Sequence, residues 1–375
     1  MSTYYARKPF RKVAGVVIKP LPKPNPRVIE GFKARKCVGN LCVESEYNSI
    51  LIVTDETLFS LGFHKSICES LEDAGISYSI FHSINSEPTS EIIATGVVMP
   101  HLPVEALLLK FLIVPGKTLP LITIPSTAGT GAEITVASVV TNTKKDTKGS
   151  TVIVGLNITH VILDSELTIN APYEVTAACA IDALSHCIEG CLADISSSKK
   201  DCHRSHEGIK LIFENLPVVL NNPSDVDARQ AILRAAFYGG NAINMQLAGY
   251  VHAFAHSIGA KYHIPHGKAI AICILPIVRF HRFICPESIA EIATYCGFAD
   301  NTDSEFVATD VFFEELDKLL KLCDLHMEPG FIPLEDYDDL VFHINLDSVN
   351  YSPPKTFTND EVKMILNEIN QISIN

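Results

Sequence analysis

The sequence predicts an α/β domain with a mostly parallel sheet, followed by an all-helical domain. Three observations predict this. Short β-branched or apolar runs of buried-strand length alternate with helical spacing in the first half. Beyond about Asn170 every periodic segment has the helical repeat. The 375 residues are enough for two domains with separate cores.

In order along the chain, "SILIVTD" (Ser49–Asp55), "ISYSIFH" (Ile76–His82), "LPLITIP" (Leu119–Pro125) and "HVILD" (His160–Asp164) read as strands. Between the first two, "ETLFSLGFHKSICESLEDAG" (Glu56–Gly75) reads as one helix closed by a glycine suited to a C-terminus. Strand, helix, strand in this order implies parallel pairing. Pro172 is placed for a first helical position, and "YEVTAACAIDALSHCIEGCLA" (Tyr173–Ala193) continues as a helix. "EGIKLIFENL", "DARQAILRAAFYGGNAI", "DVFFEELDKLLKLC" and "NDEVKMILNEI" also read as helices. The domains are therefore expected at 1–167 (α/β, of nucleotide-binding type) and 168–375 (helical, metal-binding).

Composition narrows the function. Apolar residues make up 47% and charged residues 19%, as in an ordinary globular chain, and no apolar run reaches the roughly 18–20 residues of a membrane span. The basic start "MSTYYARKPFRKVAG" lacks a secretory apolar region and cleavage site, which points to a cytoplasmic protein. Eleven cysteines without a CxxC pair suggest neither a disulfide framework nor a zinc ribbon. A net charge of −13 disfavours nucleic acid and anionic membrane as partners and fits a small molecule better.

The residues that carry chemistry lie in the helical half. Asp182 and His186 are four apart, which stacks them on one helical face, and His252 and His256 repeat that spacing. "HIPHG" then supplies His263 and His266 at a turn marked by proline and glycine. One Asp-x-x-x-His pair is ordinary on a helix. Two such pairs in apolar helices are harder to explain by packing, since each buried polar group left unpaired costs about 1–3 kcal/mol. A carboxylate with several imidazoles suits a divalent first-row metal, and spacing alone leaves open which histidines complete the set.

At these residues the chain resembles the iron-containing (group III) alcohol dehydrogenases. The matching pieces are "ILIVTDETLFSLG", "PSTAGTGAEIT", "HVILDSELT", "AIDALSHCIEG" and "GYVHAFAHSIGAKYHIPHGKAIAICILP", in the family's order and over most of the chain. The resemblance implies a Rossmann-like first domain and a dehydroquinate-synthase-like architecture overall. It implies Asp182, His186, His252 and His266 as metal ligands, with His256 a non-ligand active-site histidine that relays a proton or orients substrate. His263 falls at a variable position and reads as a loop histidine. The implied metal is Fe(II), with Zn(II) in close relatives. The implied reaction is reversible hydride transfer between an alcohol or aldehyde and NAD(P), and the family's habit implies a homodimer or larger homo-oligomer.

The implied cofactor residues are Ser126, Thr127, Thr130 and Thr135 on the pyrophosphate and ribose side, with Lys148 nearby. Small hydroxyl and glycine residues there let backbone amides approach phosphate. Asp55 matches the acidic residue facing the adenosine ribose, which favours NAD over NADP because a carboxylate repels a 2′-phosphate. A second reading of Asp55 is a strand-end turn residue, and of Lys148 a solvated charge. Tyr250 and Phe254 read either as pocket lining or as core.

One family element is missing. The chain has no GGGS, the glycine-rich turn whose amides hold the pyrophosphate in the family. After "SEPTSEII" the sequence passes almost at once into "ATGVVMPHLPVEALLLKFLIVPGKTLP", so a strand-loop-helix unit is expected to be deleted. Two functions follow as expectations: a metal-dependent alcohol dehydrogenase with a reshaped or impaired cofactor site, or a catalytically inactive metal-binding homologue that has lost nucleotide binding. A lyase or synthase on the related scaffold fits "VHAFAH" and "PHG" less well.

Overall fold

The computed structural model describes residues 24–84, 111–113, 119–135, 137–142, 147–154, 156–193, 199–349 and 351–371. The chain divides into two compact units, one of Pro22–Ser126 with Ala132–Leu167 and the other of Thr127–Gly131 with Thr168–Asn375.

In the α/β unit, β1 (Arg27–Glu30) and β5 (Pro120–Thr123) pair in parallel on either side of β8 (Asn157–Leu163). A second parallel pair joins β2 (Ser49–Val53) to β3 (Ser77–Phe81) in simple register. In a third group, β4 (Phe111–Ile113) runs parallel and β6 (Ala137–Asn142) antiparallel to β7 (Thr147–Val154). The mostly parallel pairing is as expected. The end of β8 is tied by Asp164, a fully buried carboxylate that accepts from the backbone N–H groups of Lys33, Arg35 and Glu166 and pairs with the Arg35 guanidinium at 2.7 Å. Burial of such a pair is tolerated because every lone pair finds a donor. Val38, Leu41 and Cys42 of α1 (Val38–Glu44) and Leu71 form this unit's core with Ile162 of β8.

The single helix expected over Glu56–Gly75 is corrected to two. α2 (Glu56–Ser60) and α3 (Lys65–Asp73) are separated by a turn in which Gly62 takes φ 75°, a conformation that ends helical geometry and that glycine adopts without a Cβ penalty. The expected deletion falls just after "SEPTSEII", and the segment around it, 86–120, lies outside the described residues apart from 111–113 and 119–120, as does the basic start.

The helical unit holds α4 (Tyr173–Leu192), α5 (Lys199–Asn221), α6 (Val226–Gln246), α7 (Tyr250–Tyr262), α8 (His266–His281), α9 (Pro286–Cys296), α10 (Glu305–Cys323), α11 (Tyr337–Ser348) and α12 (Asn359–Gln371). Pro172 is the N-cap of α4 rather than its first residue, with extended ψ of 157°. α4 is the central helix: of its residues, Ala177, Ala180, Ile181, Ala183, Leu184, Cys187 and Ile188 are completely buried. It is long and apolar enough by composition to cross a membrane, but Glu174, Asp182, His186 and Glu189 interrupt its apolar residues, and most of it is buried inside the protein. Tyr250 and Phe254 are fully buried, Tyr250 stacking on Phe357 at 3.9 Å and accepting a hydrogen bond from its N–H, so both are core residues.

Candidate metal centre

Three helices deliver the polar groups of the site, and close backbone approaches bring them together. Gly239 of α6 lies so near α4 that a Cβ there would sit 3.0 Å from the His186 Cβ. A Cβ on Gly267, in the first turn of α8, would meet the Ala178 carbonyl oxygen of α4 at 2.6 Å. The α7–α8 link turns through His263, which caps α7 in the left-handed region at φ 55° and is exposed, in keeping with a loop histidine. Pro265 then caps α8, making His266 its first residue.

At the centre stands Asp182, 3% exposed. Its Oδ1 is buried without a hydrogen-bond partner, yet three imidazoles aim Nε2 at it: His186 and His252 each at 3.6 Å, and His266 at 3.3 Å. The ligand atoms of Asp182, His252 and His266 all lie within 4.8 Å of one another. His186 reaches the same oxygen from outside that tight cluster, its ring stacked on His252 with centroids 4.6 Å apart. The His252 Nε2 is likewise buried and unpartnered. Orphaned buried atoms of this kind are costly, and a cation among them would satisfy oxygen and nitrogens together. The donor set, one carboxylate with three imidazoles, fits Fe(II) or Zn(II).

Glu189 was not among the residues picked out from the sequence. It lies three residues after His186, so Asp182, His186 and Glu189 occupy positions i, i+4 and i+7 of one helical face, a spacing that could have revealed it. Its carboxylate, 7% exposed, serves two helices at once. Oε1 accepts from the Val251 N–H at 2.7 Å, capping the start of α7, where Gly249 offers no side chain of its own. Oε2 accepts from His252 Nδ1 at 2.5 Å, which fixes the ring and turns Nε2 toward Asp182.

Charge balance favours a cation. Burial opposes ionisation of Asp182, but the imidazoles of His186, His252 and His266 outweigh it and hold the carboxyl well below its usual range. Burial pushes His186 down to about 4, so it stays neutral and ligand-ready. For His252 burial is again the largest single influence, yet Glu189 and Asp182 together raise it to about 10. Two buried carboxylates, one at each nitrogen of the His252 ring, thus hold positive charge at this place.

Beside this group, His256 is half-buried, its ring centroid 5.2 Å from that of His266 and 5.8 Å from that of His252. Its Nδ1 lies 2.9 Å from Asp347 Oδ2 and 3.1 Å from the Tyr351 hydroxyl.

The residues proposed for the nucleotide are more scattered. Asp55 is the N-cap of α2, its Oδ1 accepting from the Leu58 N–H at 2.8 Å, which engages one carboxylate oxygen as a strand-end turn residue would. Ser126 belongs to the α/β unit, as does the half-buried Thr135, while Thr127 and Thr130 belong to the helical one. Lys148 sits in β7 opposite Thr141, and its side chain lies outside the described residues.

Residues 176–370 match the Fe-containing alcohol dehydrogenase family, C-terminal, and residues 25–101 match iron-containing alcohol dehydrogenase. The chain is 28% identical over 356 residues to alcohol dehydrogenase 4 of Saccharomyces cerevisiae (strain YJM789), covering 86% of this chain and 91% of that one. It is 26% identical over 372 residues to the NAD-dependent methanol dehydrogenase of Bacillus methanolicus, covering 91% and 97%. Its fold is that of the solved alcohol dehydrogenase from Oenococcus oeni, with a TM-score of 0.84 at 22% identity over 93% of this chain and 99% of that one.

Proposed function

This chain belongs to the iron-containing alcohol dehydrogenase family, and from that premise we propose that it interconverts a small alcohol and its aldehyde with NAD as the hydride partner. The observation that carries the reading is the convergence of three imidazole Nε2 atoms on the unpartnered oxygen of Asp182. In this reading Asp182, His186, His252 and His266 hold Fe(II), with Zn(II) the alternative. A metal held there would supply Lewis acidity toward the substrate oxygen, and a bound nicotinamide would supply the hydride acceptor. Glu189 keeps His252 oriented and supplies the negative charge that helps retain a cation. His256 stands beside the ligands with 38% of its side chain exposed, placed to accept the hydroxyl proton and pass it to solvent. Asp55, Ser126, Thr127, Thr130, Thr135 and Lys148 are the proposed nucleotide contacts. The named NAD dependence of the Bacillus methanolicus relative supports the choice of NAD.

A specific observation favours a second reading, a metal-binding homologue without dehydrogenase activity: the sequence contains no GGGS turn. Losing several charge-assisted amide-to-phosphate bonds, each about 1.5–3 kcal/mol, weakens dinucleotide binding by orders of magnitude. The two readings separate on three measurements of the purified chain: metal content, protection from thermal unfolding by NAD, and alcohol-dependent NADH formation. Metal with NADH formation establishes the first, and metal without NAD protection the second. His252→Ala and His266→Ala are each expected to abolish bound metal. Stoichiometric metal in both variants removes the ligand assignment.

A further inference from the structure

Helices α7 and α11 are fastened to each other at two places. At one, Lys261 Nζ lies 3.0 Å from Asp336 Oδ1 and 2.8 Å from Asp339 Oδ2, while the Tyr262 hydroxyl donates to Asp336 Oδ2 at 2.7 Å. At the other, His256 meets Asp347, so the helices run in opposite directions and the register between them is set at both ends. Just beyond α11 the chain turns, with the Tyr351 N–H donating to the Ser348 carbonyl, and the Tyr351 hydroxyl comes back to Asp347 Oδ2 at 2.9 Å.

One oxygen, Asp347 Oδ2, thus faces two groups that could each give or take a hydrogen bond. A carboxylate has only lone pairs to offer, so both of its neighbours must donate. Tyr351 gives its O–H, and His256 must carry a proton on Nδ1. A neutral imidazole with Nδ1 protonated has a bare lone pair on Nε2. The Tyr351 oxygen, 3.1 Å from Nδ1, adds a second acceptor for the same N–H. The ring is held from one edge, and the edge left over carries the basic nitrogen.

We propose that Asp347 and Tyr351 are positioning residues that lock His256 as its Nδ1–H tautomer, leaving Nε2 as the atom that exchanges a proton with the alcohol. The proposal rests on the dehydrogenase reading for its purpose, but the tautomer is a property of the chain whether or not it turns over. A clamp that served only to join α7 to α11 would fix the same tautomer, but its loss would lower stability and leave turnover unchanged.

The test uses the full chain purified with zinc, which is diamagnetic, and labelled with 15N-histidine. The His256 signals are identified by their loss in His256→Gln. The expected result is an Nδ1–H tautomer in the unsubstituted chain, retained in Asp347→Glu and lost in Asp347→Asn. In turnover, Asp347→Asn is expected to lower kcat about 100-fold and Tyr351→Phe several-fold, with KM for the alcohol within about twofold and metal content unchanged, in line with what a positioned proton-transfer group contributes. An Nε2–H tautomer in the unsubstituted chain overturns the proposal. So does an Asp347→Asn variant that melts earlier yet keeps both tautomer and kcat, since that is the signature of a purely structural tie. If the unsubstituted chain forms no NADH, the dehydrogenase reading fails on its own and the tautomer still decides this inference.

Discussion

At the scale of single residues, the molecule places buried carboxyl groups in two opposite settings. Asp182 and Glu189 are surrounded by imidazoles and N–H donors and remain ionised despite burial. Glu133, in the "GTGAEIT" stretch, is 6% exposed with an unpartnered Oε1, and burial pushes it up to about 7 from an ordinary 4.5. A carboxyl whose folded pKa is raised favours folding while protonated. Its contribution is complete below about 4.5 and is lost as the pH rises through about 7. At 1.36 kcal/mol per unit, a shift of this size amounts to about 3 kcal/mol at most. Glu133→Gln, which keeps the shape and removes the charge, is therefore expected to match the unsubstituted chain at pH 4.5 and to exceed it in stability by about 2–3 kcal/mol at pH 8. Denaturant midpoints at the two pH values check this, and equal midpoints at pH 8 would show that the group ionises without cost.

At the scale of elements, the site depends on how closely α4 and α8 approach. Gly267 lies in the first turn of α8, one residue after His266, and a Cβ at that position would press within 2.6 Å of the Ala178 carbonyl oxygen and 2.7 Å of its Cβ. A backbone atom cannot swing aside as a side-chain end can, so Gly267→Ala must push the helices apart. The expected cost is about 1–3 kcal/mol of stability. Because His266 moves with the first turn of α8, metal affinity should fall together with the melting temperature. A variant that loses stability but keeps its full metal affinity would mean that the contact supports the core without setting the site.

The helices were legible in the sequence where apolar residues repeat at helical spacing, as in Tyr173–Leu192, and part of the candidate site was legible because Asp182 with His186, and His252 with His256, stand four residues apart in apolar helices. What was hidden is mostly long-range. Glu189 shows its purpose only when α7 arrives to use its carboxylate as a cap, and Asp347 and Tyr351 only when α11 returns, 91 residues after His256 in the case of Asp347. The break between α2 and α3 was missed because periodicity continues across Gly62, while the positive φ there does not permit a continuous helix. β1, β4, β6 and β7 went unrecognised because, without strong apolar alternation, such short runs are fixed by their pairing partners rather than by local pattern.

At the scale of the whole molecule, the proposed ligands come from residues as far apart in sequence as Asp182 and His266 and are assembled only in the folded helical unit. An ion that binds this arrangement and not the unfolded chain stabilises folding by mass action, by about 4 kcal/mol when free metal exceeds its dissociation constant a thousandfold. For a unit of this size each kcal/mol corresponds to roughly 2–4 °C in melting temperature. Removing the metal with a chelator should thus lower the melting of the helical unit by roughly 10 °C. The loss should reverse when Fe(II) or Zn(II) is returned, and it should be absent in His252→Ala, which has no metal to lose. Part of the penalty is softened because His252, raised to about 10 by Glu189 and Asp182, carries a proton where the ion had been. That substitution of a proton for a metal predicts a larger chelator effect at pH 9 than at pH 6, since the replacement charge is harder to supply as protons become scarce. A melting temperature indifferent to chelation, in protein shown beforehand to contain one ion per chain, would place that ion on the surface and not among the three helices.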